Sequence, residues 1–454
     1  MLAILCLAVC FFILSMPLYR RCDGKLVLSV DNILLVAFDF LFVALFPCVF
    51  FYARYSGTTR IYLANYVSLY SVGELTWYYI IAFAFLLALT LGYRLIGRDT
   101  GFHDIMPPKK KDEPQRLSTA FTLAAFALFV VGIFADILYM WEYGGYIEYM
   151  KYSSDVRSGI NNFVNPWSFM MPLRDCIPVA SLLFFSQINR KNKHIFIPLF
   201  LVAALHACMV YYSNKGRLAF VLYFMVLALF LFFRIFRFTT VNRRLIIGVG
   251  GIAVAFLVLL VVLGNVLSRN STSNIIRMIA EETAFFFANP KVLFDNVFSY
   301  RFFFDYITYP LYLLPSSLWR SIVPETASDL LTIFIDGSKK GENGVYGEAP
   351  VDMITLAYYQ LNIVGVVLVA LAWGLLFAFI YKRLGRLEHK ASALMLGMYL
   401  LVELVLRSIL YCDSYNVVQR LLPFIGFVIL YTIISILIKY IKKRAPKGRI
   451  ASLS

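Results

Sequence analysis

Basic residues recur within and beside the long apolar stretches of this 454-residue sequence. A guanidinium group can hold a phosphate through two parallel hydrogen bonds, and a lysine adds a compact positive charge. Residues of this kind suit a site that binds an anionic headgroup. The candidates are Arg174, Lys215, Arg217, Arg320, Arg407 and Arg420.

Acidic residues between positions 321 and 367 are candidates for proton transfer, because a carboxylate can take the proton of an attacking hydroxyl group. The residues that we expect to face a cavity are Glu325, Glu348 and Asp352. The alternative is that carboxylates in this segment are solvated or cap helices, as we expect for Asp329 and Glu342. The sequence does not choose a base among the three candidates.

The segment "YYSNKGRLAF", residues 211–220, separates two apolar runs and carries two cations within one turn. Gly216 permits a tight turn and a close backbone approach to a ligand, and the start of the next helix favours negative charge. One interpretation is therefore an anion-binding corner that contains Lys215 and Arg217. The other is a plain hairpin with two solvated cations.

The composition indicates which elements must position these residues. The sequence is 61% hydrophobic and only 15% charged, whereas soluble domains carry about 25% charged residues. Nearly charge-free runs of about 20 residues, the length of a membrane helix, recur along the chain. We therefore predict an all-α polytopic integral membrane protein with about eleven spans, at 1–19, 30–53, 74–94, 117–139, 165–188, 195–212, 216–233, 245–267, 351–381, 391–411 and 421–440.

The connections between spans predict the orientation in the membrane. One alternating set of connections, which includes "RRCDGK" and "KRLGRLEHK", holds most of the Lys and Arg residues and should face the cytoplasm. The N-terminus then lies outside and the C-terminus inside. The hairpin that carries Lys215 and Arg217 falls on the outer side, against the usual distribution of basic residues.

These spans divide the chain into four predicted regions, which are a bundle of about eight helices at 1–268, a large external loop at 269–350, helices at 351–440 and a basic cytoplasmic tail at 441–454. The external loop contains two apolar, aromatic-rich segments, 274–287 and 297–319. We expect both segments to be helices that lie in the outer membrane interface, where aromatic rings are favoured.

Several ionisable residues fall inside predicted spans, on the outer side. Arg174 and Asp175 lie in the outer half of the fifth span, and Arg407 lies one turn beyond Glu403 in the tenth. Such residues are costly in a membrane and usually face a protein interior or a water-filled cavity. Either they form internal ion pairs, Arg174 with Asp175 and Arg407 with Glu403, or they line a cationic cavity open to the outer leaflet.

Other function classes fit the sequence poorly. The formal charge of +16 does not indicate nucleic-acid binding, because the basic residues stand in short gaps between apolar runs and topology explains them. The seven cysteines include no C-x-x-C pair and the four histidines lie far apart. We therefore expect neither a metal site nor another cofactor.

The chain resembles the O-antigen and capsule repeat-unit polymerases (Wzy type) and the related O-antigen ligases. The resemblance is carried by the external hairpin "SNKGRLAF", by the single large external loop and by a spaced motif, here Gly347, Pro350, Tyr358, Asn362 and Gly365. It covers the architecture of nearly the whole chain, while its local motifs cover only 211–220 and 321–367.

The sequence departs from the family in three places. The hairpin has Asn214-Lys215 where Ser-Arg is usual, and the external loops lack the Arg-x10-Gly pairs of some members. The histidine that the ligases carry in the large loop has no counterpart, since no histidine lies between 207 and 388. This last departure favours a polymerase over a ligase.

The resemblance implies a GT-C-like, metal-independent glycosyltransferase in the bacterial cytoplasmic (inner) membrane. Its donor and acceptor would be undecaprenyl-diphosphate-linked oligosaccharides, and its product a surface polysaccharide such as O-antigen or capsule. The basic candidates would bind the carrier diphosphate and a carboxylate would act as base. Besides the lipid bilayer, a chain-length regulator is an implied partner.

Two alternatives to the polymerase are retained. An O-antigen ligase or another enzyme that uses polyprenyl-linked sugars is one, although the first external loop carries only Glu74, whereas polyprenyl-phosphate-sugar enzymes place an acidic pair there. A transporter or flippase for lipid-linked oligosaccharides is the other. The odd number of spans and the absence of an internal repeat argue against it.

Overall fold

The structure is a computed structural model that describes residues 2–97, 102–106, 119–158, 165–189, 191–214, 216–236, 238, 240–267, 275–314, 316–319, 322–323, 325–345, 348–387 and 389–444. Within these ranges the protein is almost entirely helical, and nine helices are long and apolar enough to cross a membrane. The prediction of an all-α polytopic membrane protein is therefore confirmed.

The first part of the chain contains nine main helices and one small hairpin. The helices are α1 (Leu2–Ser15), α2 (Val30–Tyr55), α3 (Val72–Gly97), α4 (Thr119–Trp141), α5 (Tyr146–Ser158), α6 (Ser168–Ser186), α7 (Lys193–Ser213), α8 (Arg217–Phe236) and α9 (Arg243–Leu267). The hairpin pairs strands β1 (Arg21–Cys22) and β2 (Lys25–Leu26) in antiparallel register. Single helical turns follow α1, α2 and α3, at Met16–Leu18, Tyr62–Tyr66, Val67–Leu69 and Phe102–Ile105.

The second part contains five main helices, which are α10 (Ile275–Asp295), α11 (Ala327–Asp336), α12 (Met353–Leu384), α13 (Lys390–Leu410) and α14 (Ser414–Arg444). The helix predicted at 274–287 is confirmed by α10, which continues to Asp295. The segment 297–319 is broken into short helical pieces, because prolines interrupt it. The pieces are Phe304–Ile307, Tyr309–Leu313 and Ser316–Trp319.

Nine of the predicted spans correspond to the nine membrane-length helices among the described residues, which are α2, α3, α4, α6, α7, α8, α12, α13 and α14. The predicted span 1–19 corresponds to a shorter apolar helix over Leu2–Leu18. The predicted span 245–267 falls in the 25-residue helix α9, which is not among the nine. The count of eleven, the GT-C-like arrangement and the four-region division stay predictions.

The exposed surfaces of these helices are apolar, as expected of a protein that faces lipid. On α7 the most exposed side chains include Leu201 and Leu205, and on α14 they include Ile429 and Ile433. Because lipid tails give no hydrophobic driving force, membrane helices associate through close packing of small residues. Hydropathy therefore indicates that these helices enter the membrane but not how they pack together.

Helices α3 and α12 pack against each other at two glycines. A Cβ atom added to Gly92 would lie 2.3 Å from the carbonyl oxygen of Leu371, and one added to Gly374 would lie 2.2 Å from that of Leu89. Only glycine therefore permits this backbone approach, which is the usual way in which membrane helices associate closely.

Helix α12 is interrupted after its second turn. Leu361 and Asn362 leave helical geometry, and Asn362 has φ +53° and ψ −145°. The carbonyl oxygens released at the break accept hydrogen bonds from the external loop, Arg301 N to Tyr359 O at 3.2 Å and Phe302 N to Gln360 O at 3.0 Å. The break therefore joins the segment between α10 and α11, which belongs to the predicted external loop, to the first turns of a long helix.

Helix α10 packs into the bundle with one aromatic face. The ring of Phe287 stacks on that of Phe46 of α2 with 4.6 Å between centroids. The hydroxyl of Tyr78 on α3 donates to the carbonyl of Phe286, and that of Tyr70 donates to the carbonyl of Phe287. The external loop is thereby anchored to α2 and α3, and its position in the interface stays a prediction.

Candidate functional site

Arg174 lies at the start of α6 and is completely buried. Its Nε donates to Oδ1 of Asp136 on α4 at 2.6 Å, and its Nη1 donates to Oδ1 of Asn214 at 3.1 Å. The guanidinium group also lies over the Tyr139 ring, 4.7 Å from the centroid. The predicted ion pair with Asp175 is therefore wrong, since Arg174 pairs with Asp136 on another helix.

The local backbone geometry explains why Arg174 does not pair with Asp175. Arg174 and Asp175 close a 3₁₀ turn, Ser168–Asp175, that leads into the α-helical part of α6. With about three residues per turn, successive side chains of such a turn point roughly 120° apart. Adjacent residues therefore face different neighbours, Arg174 towards α4 and Asp175 towards α13 and α14.

Asp136 is the centre of a buried network on the Arg174 side. Its Oδ2 is 2.8 Å from Nε2 of His206, and the hydroxyl of Tyr146 also bonds to this oxygen. The Tyr149 hydroxyl donates to Asn214 at 2.8 Å. The network joins α4, α5, α6 and α7 through hydrogen bonds, so the charge of Asp136 is fully compensated.

The predicted pair on α13 is confirmed. Nη1 of Arg407 donates to Oε2 of Glu403 at 2.7 Å, one helical turn away. Glu403 lies in a π-helical turn, Leu401–Leu406, an irregularity that is common at functional sites. Nε of Arg407 is buried and has no hydrogen-bond partner among the described residues, so this guanidinium retains an unused donor.

Arg420 on α14 is the third member of a group that we call the arginine cluster, which consists of Arg174, Arg407 and Arg420. Its Nη1 donates to the carbonyl oxygen of Tyr411 at 3.2 Å, and among the described residues no carboxylate bonds to it. It interacts electrostatically with Glu403 and Arg407. The space beside this group is a narrow crevice without room for a water molecule, lined by Tyr399, Leu400, Glu403, Leu404, Arg420 and Leu421.

The hairpin after α7 lies against the arginine cluster. Asn214 accepts its hydrogen bond from Arg174, and Gly216 N closes the turn on Tyr211 O at 2.9 Å. The phenol of Tyr211 interacts electrostatically with Asp175 and Glu403. The hairpin therefore bonds to Arg174 of α6, and Tyr211 before it also interacts electrostatically with Arg407 of α13.

Not all of the basic candidates can be placed. Arg217 is the first residue of α8, but its side chain lies outside the described part of the structure. Lys215 and Arg320 lie outside the described residues altogether. The structure thus brings together three of the six candidates, Arg174, Arg407 and Arg420, and places the backbone of Arg217 beside them.

Asp352 has a structural task as the N-cap of α12. Its Oδ1 accepts hydrogen bonds from the amides of Ile354 and Thr355 at 3.0 and 2.8 Å, and its Oδ2 accepts one from Asn289 Nδ2 at 3.1 Å. The side chain is completely buried. Burial raises the pKa of Asp352 to about 6, and hydrogen bonds from Thr355 and Asn289 oppose this shift.

The other two acidic candidates lie on the surface. Glu325 forms an ion pair with Lys339, with 2.9 Å between Oε1 and Nζ, and its side chain is 38% exposed. Glu348 is exposed. Asp329, which we expected to be solvated or to cap a helix, forms a reciprocal capping box with Thr326 at the start of α11. That expectation is confirmed.

Sequence reasoning missed the residues that tie the external loop to the bundle. Lys291 of α10 bonds to Glu74 of α3 at 2.7 Å and to Asp295 at 2.6 Å. Asn289, in the same helix, holds both Asp352 and the carbonyl of Pro350. Their spacing on an amphipathic helix was a visible signal, and Asp295 is only four residues from Lys291. The other partners, Glu74, Pro350 and Asp352, lie more than 60 residues away in the sequence.

Asp413, between α13 and α14, is a further buried carboxyl group. Its Oδ2 accepts from the amide and side chain of Asn416 at 3.3 and 3.0 Å. Burial raises its pKa to about 7, and the nearby carboxylate of Glu348 adds to the shift. Asp413 also interacts electrostatically with Arg420. It therefore interacts both with the arginine cluster and with Glu348 of the segment before α12.

The arrangement can bind an anion and hold it in a region of low dielectric constant. Arg407 and Arg420 offer guanidinium donors that are not fully used, and charge-assisted hydrogen bonds to phosphate are strong in such surroundings. Within the described ranges no group of three His, Cys, Asp or Glu side chains could hold a metal ion.

The fold and this cluster define an all-α polytopic membrane protein with a buried ionic site between α6, α7, α13 and α14. Comparison with known proteins found no matching family, no matching curated protein and no matching solved structure. Function must therefore be argued from the site.

Proposed function

We propose that this protein is a membrane glycosyltransferase that polymerises undecaprenyl-diphosphate-linked oligosaccharide repeat units into a surface polysaccharide, on the outer face of the bacterial cytoplasmic membrane. The observation that carries the proposal is the meeting of the external hairpin with the arginine cluster. Asn214 of the hairpin bonds to Arg174 at 3.1 Å, and Tyr211 lies in the field of Asp175 and Glu403.

The chemistry fits the available groups. The acceptor hydroxyl attacks the anomeric carbon of the donor sugar, the bond from that carbon to the phosphate oxygen breaks, and the diphosphate leaves with the electron pair. Guanidinium groups placed where this negative charge develops lower the barrier. Arg407 and Arg420 are assigned this role because Nε of Arg407 is unpaired among the described residues and Arg420 bonds there to a backbone carbonyl rather than to a carboxylate. Arg174 also keeps one unused donor, Nη2, but its charge is paired with Asp136 and it bonds to Asn214.

The proposal treats Arg174 as a support for the hairpin. By holding Asn214 it fixes the turn that precedes Arg217, the first residue of α8. The start of this helix favours negative charge, so Lys215 and Arg217 are retained as ligands of the same diphosphate. The external loop, which is joined to α12 at its break, supplies aromatic surface for the sugars.

The experiment uses the full-length protein in liposomes with a fluorescent undecaprenyl-diphosphate-linked oligosaccharide. We expect a ladder of products, each longer by one repeat unit, on a gel or by mass spectrometry. Transfer onto a lipid A acceptor without a ladder would indicate a ligase. Movement of the labelled lipid across the bilayer without new bonds would indicate a transporter, and either result would overturn the proposal.

A genetic test is independent of purification. Deletion of the gene in its own bacterium should reduce the surface polysaccharide to single repeat units, and the wild-type gene on a plasmid should restore the ladder. A variant in which Arg386, an exposed arginine after α12, is replaced by alanine is the matched control and should restore it equally. An unchanged ladder after deletion would contradict the proposal.

A further inference from the structure

We propose that Asp175 is the general base of the transfer reaction, an inference that rests on the proposed function. It differs from the three carboxylates that the sequence singles out, Glu325, Glu348 and Asp352. The observation behind it is a carboxylate within a membrane-length helix that no neighbour compensates directly.

Asp175 is partly exposed, and among the described residues none donates a hydrogen bond to it and no cation lies within ion-pair distance. Carboxylates at membrane depth are normally paired or hydrogen-bonded, because the ionised form is costly there. Because Asp175 is partly exposed, a ligand or water can reach its carboxylate, and a catalytic role is one explanation for a group left without a protein partner.

The surroundings of Asp175 are those of the proposed diphosphate site. Asp175 interacts electrostatically with Glu403 and Arg407 of α13, with Arg420 of α14 and with Tyr211 at the end of α7. Arg174, its neighbour in sequence, is turned towards Asp136. A hydroxyl group held near Asp175 would therefore lie close to a diphosphate held by Arg407 and Arg420.

The buried carboxylates near the outer ends of the helices are already engaged, including Asp413, which accepts two bonds from Asn416. Asp136 accepts bonds from Arg174, His206 and Tyr146. Glu403 is paired with Arg407, and both oxygens of Asp352 are bonded at the start of α12. Asp175 is the carboxylate of this group that can take up a proton without first losing a hydrogen bond.

In the proposed step, one proton moves to Asp175 while one bond forms at the anomeric carbon and one bond breaks. The carboxylate of Asp175 takes the proton of the acceptor hydroxyl while the oxygen forms its bond to the anomeric carbon. The bond from that carbon to the diphosphate oxygen breaks, and the electron pair leaves with the diphosphate. The proton then passes from Asp175 to water or to the departing diphosphate, so no oxidant, reductant or further reactant is needed.

The test compares Asp175→Asn with wild type in the liposome assay and in a separate measurement of binding to undecaprenyl diphosphate. General bases contribute about 10²- to 10⁴-fold, so we expect kcat to fall by at least about 100-fold. Binding of undecaprenyl diphosphate should stay within about 3-fold, because the arginines are unchanged. Asp39→Asn is the control, since Asp39 is a buried carboxylate bonded to Ser15 and Tyr19 on another part of the bundle.

A second variant separates a chemical role from a structural one. Asp175→Ala with added sodium formate should regain part of the lost kcat, because formate can replace a missing carboxylate base, whereas Asp39→Ala with formate should not change. Asp175→Asn turnover within about 3-fold of wild type, or loss without rescue together with loss of binding, would overturn the inference. Absence of turnover by the wild-type protein would instead overturn the proposed function and this inference with it.

Discussion

Arg174 and Asp136 form an ion pair with 2.6 Å between Nε and Oδ1, and both side chains are 1% exposed. The two residues are 38 positions apart and lie on α6 and α4. Since the adjacent Asp175 is not part of this pair, two neighbouring charged residues serve two separate sites. One side of α6 holds the bundle together, and the other faces the cluster that we assign to the substrate.

The first prediction concerns the stability provided by this pair. Arg174→Ala leaves the Asp136 carboxylate buried without its cation, which typically costs about 3–5 kcal/mol. We expect a large fall in the temperature of thermal unfolding in detergent. The double variant Arg174→Met, Asp136→Leu should recover most of the loss, because an apolar pair needs no compensation. An unfolding temperature equal to wild type in the single variant would refute the role.

The second prediction concerns binding of the diphosphate. Arg420→Ala should weaken binding of undecaprenyl diphosphate by at least about 10-fold, since a charge-assisted hydrogen bond contributes about 1.5–3 kcal/mol. Arg420→Lys should lose less, because the charge remains while the paired geometry is lost. Fluorescence titration in detergent measures both, with Arg386→Ala as the charge-matched control. Equal affinities for Arg420→Ala and the control would exclude Arg420 from the site.

The third prediction separates capping from catalysis at Asp352. Asparagine is also a good N-cap, so Asp352→Asn should keep the start of α12 and most of the turnover. In the folded protein the pKa of Asp352 is raised to about 6 from an ordinary value of 3.8. The stability that it contributes is therefore fully present below about pH 4 and is lost as the pH rises through about 6.

The measurement for Asp352 is the temperature of unfolding at several pH values. Relative to Asp352→Asn, the wild-type protein should lose stability between about pH 4 and pH 6 and change little above that range. Asp352→Ala, which lacks the cap, should be less stable than Asp352→Asn by about 1 kcal/mol at every pH, because neither variant titrates at this position. A loss of turnover by Asp352→Asn in fully folded protein would return this residue to the catalytic candidates.

The fourth prediction concerns the break in α12. Asn362 adopts φ +53° and ψ −145°, a conformation that is unfavourable for residues with a Cβ atom and costs about 1–3 kcal/mol. Asn362→Gly should therefore leave stability unchanged or raise it, whereas Asn362→Val should lower it. Gly365→Ala should also be destabilising, since its Cβ would lie 2.4 Å from the carbonyl oxygen of Ala357. Equal unfolding temperatures for the glycine and valine variants would rule out a strained break.

The fifth prediction tests the orientation. In a variant with all seven native cysteines replaced by serine, a cysteine at the exposed position Glu342 should react with a membrane-impermeant maleimide in intact spheroplasts. A cysteine at the exposed position Arg386 should react only after the membrane is opened. The reverse pattern would invert the orientation and place the arginine cluster on the cytoplasmic side.

The break in α12 is a feature whose residues the sequence singled out but whose physical role it did not predict. The residues Asn362 and Gly365 were identified as part of the motif that carries the family resemblance. Their physical role emerges only because the loop residues Arg301 and Phe302 bond to the carbonyls of Tyr359 and Gln360. Those partners are about 60 residues apart. No local pattern reports them, because a released carbonyl can be satisfied by any donor that the fold brings near.

Asp352 is a second residue whose role the sequence leaves open and the structure clarifies. Its type and its place after a proline at the start of an apolar helix suit both a base and an N-cap. The hydrogen bonds from Ile354, Thr355 and Asn289 favour the cap. Burial and partner geometry separate the two roles, and neither is encoded in the spacing of a single segment.

The sequence by itself determined the membrane class, the helical content and most of the long helices, because transfer of an apolar segment into lipid depends on that segment's own composition. Only the tertiary structure decided that Arg174 pairs with Asp136 and that Glu403 pairs with Arg407. It also decided that Asp175 has no hydrogen-bond or ion-pair partner in the part of the chain that the structure describes. Each of these depends on side-chain direction and on contacts between helices. Electrostatic energy is set by such distances, and distances between helices are a property of the packed bundle rather than of any one helix.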